Sequence, residues 1–478
     1  MDFRKIFNFI PEVTKPEEKK VSFNVKLKWT LIVLVSFFVL SNIPLFGLSK
    51  NALSRFEYLA MILGTNFGSI ISLGIGPIVM GSIILQLLTG AGILNINTST
   101  EEGKKFFQGL QKIMVFFFII FEAIVYVLMQ GLQAEPGFAG VVIFQLIIGG
   151  LAIYYMDDLT TKWGFGSGVS LFIGAGVSLR IITQALQFIN SQGQNCLLNF
   201  GEVACSGKIF VLIQSIIQGH EIEVISAAAA ILVTIGVFLL VVWVQSLKVE
   251  IPLSYGRIRG YGVKWPLSFF YASVIPVILA SALIATTQLF GGILENAAAP
   301  CLEGTCTGLA KFASHFSFLG HFIDGQAVSG LSFWLGSTNL LELTIRGGFL
   351  PKYLLQGLTH MLFFVFFSTL FAVLWVKTSG MDAKSQAHKI ASSGLQVAGF
   401  RQDERILESI LNRYVMPLTV MGGLAIGLLA SLTDLLGALV SGTGVLLVIM
   451  IFFQFYQNIA KQHETDMNPA IRKFMGNI

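Results

Sequence analysis

Charged residues are scarce in this sequence of 478 residues, because Asp, Glu, Lys and Arg together make up 12% of it, against roughly a quarter in an average soluble protein. Proline and tryptophan are also few, at 12 and 6, whereas hydrophobic residues account for 54% and the mean hydropathy is +0.76. Water-soluble cores cannot bury this much apolar surface. The composition therefore excludes soluble globular, disordered, collagen-like and nucleic-acid-binding classes, and it indicates a protein surrounded by lipid.

Motifs for catalysis are absent as well. The sequence contains no GxxxxGK[ST] phosphate loop, no HExxH zinc helix and no GxSxG nucleophile turn, and each of these motifs places its chemical groups at a fixed spacing. The six histidines are scattered, and neither cysteine pair has a second pair or a histidine at metal-ligand spacing. We therefore expect no enzymatic activity, no cofactor and no metal site.

Long apolar runs are the dominant positive feature. A helix needs about 20 apolar residues to cross the hydrocarbon layer. The sequence contains ten such stretches, which predicts an all-α membrane protein. The predicted spans are Trp29–Phe46, Ile75–Gly92, Phe107–Leu132, Gly137–Met156, Gly166–Leu186, Val224–Leu247, Leu267–Leu289, Tyr353–Val376, Tyr414–Leu432 and Gly437–Tyr456.

The distribution of Lys and Arg predicts the orientation of these spans. Ten spans place both termini on one side, and the segments on that side carry 24 of the 31 Lys and Arg, against six in the opposite loops. Because positive loops stay inside, we expect both termini to be cytoplasmic in a multi-pass protein of the cell membrane. No cleavable signal peptide is evident, since 28 largely polar residues precede the first span.

The spans divide into two halves of five, and an odd number inverts the second half relative to the first. Repeats of this kind often enclose a pathway, and several spans carry Gly or Pro breaks that suit one. The predicted organisation is an N-terminal amphipathic segment, a first half, an outer loop, a second half with two cytoplasmic loops, and a cytoplasmic tail, at 1–28, 29–190, 191–221, 222–456 with loops 248–266 and 377–413, and 457–478.

All four cysteines lie in loops that the charge bias assigns to the outside. Disulfides persist in such compartments, so Cys196 can pair with Cys205, and Cys301 with Cys306. Four free thiols without a role are the alternative.

Ionisable residues inside the spans are rare. Only Glu122 lies well within a span, whereas a proton- or ion-coupled carrier places several carboxylates or histidines at the midplane. A secondary transporter of a small solute, which broken helices and equal halves would also suit, is therefore the weaker alternative to a passive channel. A short apolar helix at 56–63, too brief to cross, either lies at the interface or folds into a cavity lined by protein.

Five stretches carry a resemblance to a known family. They are Leu73 to Val79 with Gln86-Leu87-Leu88, then Gly164–Phe172, Lys248–Leu253, Ile275–Ala280 and Gly399-Phe400-Arg401. In this order they resemble the SecY family, the channel subunits of the Sec protein-translocation complex, in its archaeal form. The resemblance runs over nearly the whole chain.

The resemblance implies an hourglass pore through which unfolded secretory polypeptides cross. The waist is expected to be an aliphatic ring, at Ile75, Val79, Val169, Ile173, Ile278 and Leu447. The short helix is expected to be a plug that closes the outer funnel, formed by Phe56, Glu57, Tyr58, Leu59, Ala60, Met61, Ile62, Leu63, Gly64, Thr65 and Asn66.

The resemblance also implies a lateral gate and partners. The second, third, seventh and eighth spans resemble the gate, with Glu122 in a polar cluster where Met80 and Thr286 replace more polar residues. Arg257, Arg259 and Arg401 are expected to contact the ribosome, although the topogenic charge bias explains these basic loops equally well. The implied partners are the small subunits SecE (gamma) and Sec-beta, the ribosome, signal sequences, nascent polypeptides and the lipid bilayer.

Overall fold

The structure is a computed structural model, and it describes residues 11–17, 21–48, 68–90, 93–94, 96, 100–128, 132–190, 194–198, 203–255, 262–272, 275–302, 308–323, 326–392, 395–397 and 403–466. Within these residues the chain is predominantly helical. Nine helices of the described part are long and apolar enough to cross a membrane, as the all-α prediction requires.

Before residue 220 the described part of the chain contains six helices, the last of them in the predicted outer loop. They are α1 (Phe23–Ser41), α2 (Gly76–Gly90), α3 (Glu101–Leu128), α4 (Ala139–Trp163), α5 (Gly168–Leu186) and α6 (Lys208–Gln218).

From residue 221 onward, nine further α-helices lie among the residues that the structure describes. They are α7 (Glu221–Ser246), α8 (Ile275–Leu302), α9 (Gly308–Ser314), α10 (Leu331–Leu335), α11 (Leu340–Ile345), α12 (Pro351–Thr378), α13 (Ala383–Ser392), α14 (Glu404–Leu436) and α15 (Gly442–Asp466).

Two small antiparallel sheets join the helices, and hydropathy alone did not predict them. The first has the strand order β2-β1-β5, formed by Gly262–Ser268, Lys248–Tyr255 and Leu395–Val397, with Lys248 opposite Ser268 and Leu253 opposite Val397. The second is a hairpin of β3 (His321–Ile323) and β4 (Gln326–Ser329). The two predicted cytoplasmic loops are therefore partly ordered as strands and as helix α13.

The sheets mark the two ends of the helical bundle. Helix α8 begins just after β2 and ends before the β3–β4 hairpin, so the sheets lie at opposite ends, which we call the sheet face and the hairpin face. Helix α1 runs from the sheet face to the hairpin face. Phe23 at its start packs on Phe165. The Phe165 carbonyl accepts a hydrogen bond from Asn458 near the end of α15, which lies at the sheet face. Helix α7 runs the other way and ends at β1. The second half is therefore inverted relative to the first.

The second predicted span differs from a complete helix. Helix α2 has 15 residues, and the turns before it, at 70–75, are mostly buried, with Ile71 and Leu73 fully enclosed. Hydrogen bonds to the segment after α1 satisfy part of this backbone, since the Ile70 N–H donates to the Ile43 carbonyl at 3.0 Å. Non-helical backbone at membrane depth is tolerated because protein surrounds it.

The N-terminal segment is fastened to the sheet face. Glu12 forms ion pairs with Lys112 of α3 and with Lys162 of α4. The Val13 N–H donates to Asp158 at 3.0 Å. This segment therefore holds the ends of α3 and α4 together.

Acid should release this segment. The hydrogen bond and charge of Lys112, with a smaller contribution from Lys162, hold the pKa of the Glu12 carboxyl below its usual value of 4.5. Because the folded-state pKa is the lower one, the stabilisation is complete above the unfolded-state pKa and is lost as pH falls through the folded-state pKa. Hydrogen exchange at the Val13 amide, corrected for the intrinsic rate, should therefore lose protection in acid.

A variant isolates the carboxylate. In Glu12→Gln the Val13 amide should be unprotected already at neutral pH. Glu17→Gln on the same segment should keep it protected, because the Glu17 side chain is exposed. Full protection in Glu12→Gln would show that the ion pairs do not hold the segment.

Candidate channel site

Five of the six predicted ring residues come from four helices, Ile75 lies in the turn before α2, and all six belong to one apolar cluster. Five of them are between 2% and 5% exposed, and Val169 is half-buried against the same cluster. Val79, Val169 and Ile278 line one cavity of about 230 Å³ toward the sheet face. Ile173 lies about one turn further along α5, and Ile75 lies in the turn before α2, both toward the hairpin face. A second cavity, of about 620 Å³, opens at the hairpin face.

A buried carboxylate fixes the helix that carries two ring positions. Asp157 at the end of α4 accepts a hydrogen bond from the Val169 N–H at 2.9 Å and one from the Ser167 hydroxyl at 3.4 Å. The first N–H groups of a helix need such acceptors, so Asp157 orients α5. Sequence analysis did not identify this role of Asp157. The start of α5 at Ser167-Gly168, which has no acidic residue in its first turn, was a usable signal.

The start of α2 is shaped by glycine. Gly74 has a φ of +56°, a conformation that favours glycine. A side chain at Gly76 would meet the Glu122 carboxylate, since a β-carbon there would lie 3.2 Å from Oε2. The backbone next to the predicted ring therefore approaches α3 closely.

Helices α2 and α3 form one side of the predicted gate. The Gln111 amide of α3 donates to the Ser82 hydroxyl of α2 at 2.7 Å, and Gly81 lets α2 approach Val115. On its other side α2 packs on α8 and α12. Near the sheet face Gly90 lies against Leu374 of α12, with no room for a β-carbon between them.

The three predicted polar-gate residues do not form a hydrogen-bonded cluster among the described residues. Glu122 is 3% exposed, and its Oε2 has no hydrogen-bond partner. The Thr286 hydroxyl donates to the Ala282 carbonyl of its own helix at 2.7 Å, and Met80 is half-buried. Gln86 on α2 was not predicted from the sequence. It is 2% exposed, and its unpartnered Oε1 adds polarity to the interface between α2 and its neighbouring helices.

A second buried polar group, also missed from the sequence, joins the helices at the hairpin face. His360 of α12 bonds through Nδ1 to the Leu335 carbonyl at 2.7 Å and through Nε2 to Asp434 of α14 at 3.4 Å. Asp434 in turn accepts the Gly442 N–H at 2.6 Å and caps α15, the helix that carries Leu447.

The structure joins Cys196 and Cys205 by a disulfide, with 5.3 Å between their α-carbons. Gln214 of α6 supports this loop, because it accepts the Cys205 N–H and donates to the Val203 carbonyl, both at 3.0 Å. Cys306 lies outside the described residues, so its pairing with Cys301 stays a prediction. The plug residues Phe56 to Asn66 and the three arginines Arg257, Arg259 and Arg401 also lie outside them.

The Cys196–Cys205 bond should form in the cell. We expect the peptide that contains both cysteines to resist alkylation until a reductant is added, as mass spectrometry of the membrane-purified protein would detect. Closing so short a loop is worth about 2–3 kcal/mol, so reduction should also speed proteolysis between 191 and 207. Free, alkylatable thiols in protein purified without reductant would contradict the pairing.

Comparison with known proteins identifies the family. The SecY family profile matches residues 69–456. The protein translocase subunit SecY of Methanothermobacter thermautotrophicus is 40% identical over 99% of this chain and 98% of its own length, and that of Methanocaldococcus jannaschii is 36% identical over 98% of each.

Solved structures agree with this match. A protein-conducting channel superposes with a TM-score of 0.79 at 35% identity, covering 99% of this chain and 100% of that one. A SecY channel studied for its plug domain gives 0.77, and Sec61 in a canine ribosome–channel complex gives 0.76, each at 35% identity and the same coverage. The chain therefore belongs to the SecY family of protein translocase channel subunits.

Proposed function

We propose that unfolded secretory polypeptide crosses this channel at the waist formed by Ile75, Val79, Val169, Ile173, Ile278 and Leu447. The observation that carries the proposal is the convergence of aliphatic side chains from four helices in one cluster, with cavities toward both faces. Aliphatic groups demand no fixed hydrogen-bond pattern from the passing chain, and an empty aliphatic constriction excludes ions by dewetting.

Apolar segments leave sideways through the lateral gate, between the α2–α3 pair and helices α8 and α12. About ten centrally placed Leu, Ile, Phe or Val residues gain roughly 3–6 kcal/mol by reaching lipid. If this gain is coupled to opening, it biases a two-state gate by about two to four orders of magnitude. The packing of α2 on both α8 and α12 supports this seam as the exit.

The remaining assignments follow from the family and from charge. The chain acts as a channel and not as an enzyme, and it has no energy source of its own. A ribosome docked on the sheet face through Arg257, Arg259 and Arg401 drives transport, in line with the ribosome-bound Sec61 relative. SecE and Sec-beta complete the complex in the cell membrane, both termini are cytoplasmic, and residues 56–66 close the resting channel.

Site-specific crosslinking tests the proposed path. A photoreactive residue at position 79 or 278 should crosslink to a stalled, ribosome-bound nascent chain that carries a signal sequence. The yield should depend on the length of the nascent chain, because only chains long enough to reach the waist can react. A photoreactive residue at position 239, where Leu239 of α7 is 62% exposed on the outside of the bundle, is the matched control.

The outcomes separate the hypotheses. Length-dependent crosslinks at the two waist positions, and none at position 239, would support the path. No crosslink at either waist position, in protein that binds ribosomes, would overturn it and would favour the transporter alternative.

A further inference from the structure

A third cavity, of about 380 Å³, lies at the sheet face beside the one above the waist. It is lined by Gln245 of α7, Gln386 of α13, and Gln454, Gln457 and Asn458 of α15. We call these five residues the amide pocket. Gln454 and Asn458 also line the cavity above the waist, so the two spaces meet along α15.

The pocket is polar but carries no charge. No Asp, Glu, Lys, Arg or His is among the described residues that line it. A primary amide offers both a carbonyl acceptor and N–H donors, the same groups that every peptide unit presents. A wall of amides therefore matches a peptide main chain whatever its side chains are, and the absence of charge avoids trapping segments of either sign.

One acceptor in the pocket is buried without a partner. Gln245 is 8% exposed, and its Oε1 has no hydrogen-bond partner in the part of the chain that the structure describes. Leaving a buried acceptor unpaired is unfavourable, so an occupant that brings an N–H group into the pocket gains that bond. By contrast, the amides of Gln386 and Asn458 already donate to the carbonyls of Gly380, at 3.0 Å, and Phe165, at 3.3 Å.

The remaining walls suit an extended chain. Four consecutive residues of β2, Trp265 to Ser268, line the pocket, and β2 is an edge strand of the described three-stranded sheet. Edge strands can accept an extended peptide through main-chain hydrogen bonds. Phe270, Tyr271 and Phe453 complete the wall together with Met381 and Met450. Methionine adapts to side chains of different shapes.

We infer that the amide pocket binds a segment of the translocating polypeptide in an extended conformation, through its main-chain N–H and carbonyl groups, before that segment reaches the waist. This inference rests on the proposed function. It explains how a channel could hold clients of unrelated sequence, because the main chain is the one feature that they share.

Proline supplies the test, because it has no main-chain N–H. A photoreactive residue is placed at position 457 of the full chain, in membranes that contain the whole complex. Stalled ribosome-bound clients carry at the pocket either an Ala/Ser segment or the same segment with alternating prolines. The crosslink yield at position 457 is divided by the yield of the same client at position 79.

We expect the prolines to lower this ratio about fivefold, the effect of losing one typical hydrogen bond. Gln245→Leu should lower the ratio for the Ala/Ser client by a similar factor and should remove the difference between the two clients. Gln187→Leu is the matched control, because Gln187 is exposed at the end of α5 and lines none of the three cavities, and it should change nothing. A retained yield at position 79 shows that Gln245→Leu has folded.

Equal ratios for the two clients, or a ratio that Gln245→Leu leaves unchanged, would overturn the inference while the waist crosslinks keep the proposed function. Crosslinks from position 457 to the tail of the chain itself, with or without a client, would also overturn it. Loss of every crosslink at position 79 would instead refute the proposed function, and the inference with it.

Discussion

Vesicles that contain the channel should leak ions when Ile75 and Ile278 are both replaced by glycine. Both side chains are buried in the apolar cluster, at 3% and 5% exposure. Ile75 directly precedes α2, and Ile278 lies on α8, which packs on α2. Removing them widens the constriction and lets water enter, so the dewetting barrier falls. A barrier lower by roughly 1.4 kcal/mol would raise permeability about tenfold. Chloride efflux from vesicles loaded with the dye lucigenin measures this directly.

Glycine also weakens a helix, by about 1 kcal/mol at each site, and this cost needs its own control. Ile235→Gly with Ile225→Gly places the same substitutions on α7, where the two side chains are 51% and 54% exposed on the outside of the bundle. Those vesicles should stay tight. Equal leakage from both double variants would mean that loose helices, and not an open waist, conduct the ions, and a tight Ile75/Ile278 variant would remove these residues from the seal.

Hydropathy was sufficient to predict the class of fold. A span must satisfy its backbone internally and must match the thickness of the bilayer, so its signal lies within one short stretch of sequence. Helix ends are harder to predict, because the part of a helix that extends beyond the bilayer is polar and lacks this signal. Helix α14 begins at Glu404, ten residues before the predicted span at Tyr414, because Asp403 caps it and its first turns are polar.

Features that join distant segments could not be predicted from local patterns. Strand β5 pairs with β1 although more than a hundred residues separate them, and neither strand has a hydrophobic run long enough to stand out. The role of Asp157 also could not be predicted, because it depends on where the start of α5 lies. The aliphatic ring came only from the family resemblance, since nothing in the sequence distinguishes Ile75 from its neighbour Ile78.

The His360–Asp434 pair also joins distant segments and could not be predicted from local patterns. We expect its loss to lower the stability of the protein strongly. Replacing Asp434 by leucine leaves His360 Nε2 without its carboxylate partner and leaves the Gly442 N–H without an acceptor, in a site where both side chains are 3% exposed. Breaking a buried pair of this kind by removing one partner costs about 3–5 kcal/mol. Thermal unfolding of the purified protein in detergent should therefore shift to markedly lower temperature.

Two further variants assign the loss to these hydrogen bonds. Asp434→Asn keeps an oxygen that can still cap α15, so it should lose clearly less stability than Asp434→Leu. The double variant His360→Leu with Asp434→Leu removes both polar groups, so its loss should be smaller than the sum of the two single losses. Strict additivity would mean that the two residues act separately. In that case the contact between His360 and Asp434 does not stabilise the packing of α12 on α14, and only the hydrogen bond from the Gly442 N–H to Asp434 joins α14 to α15 at this site.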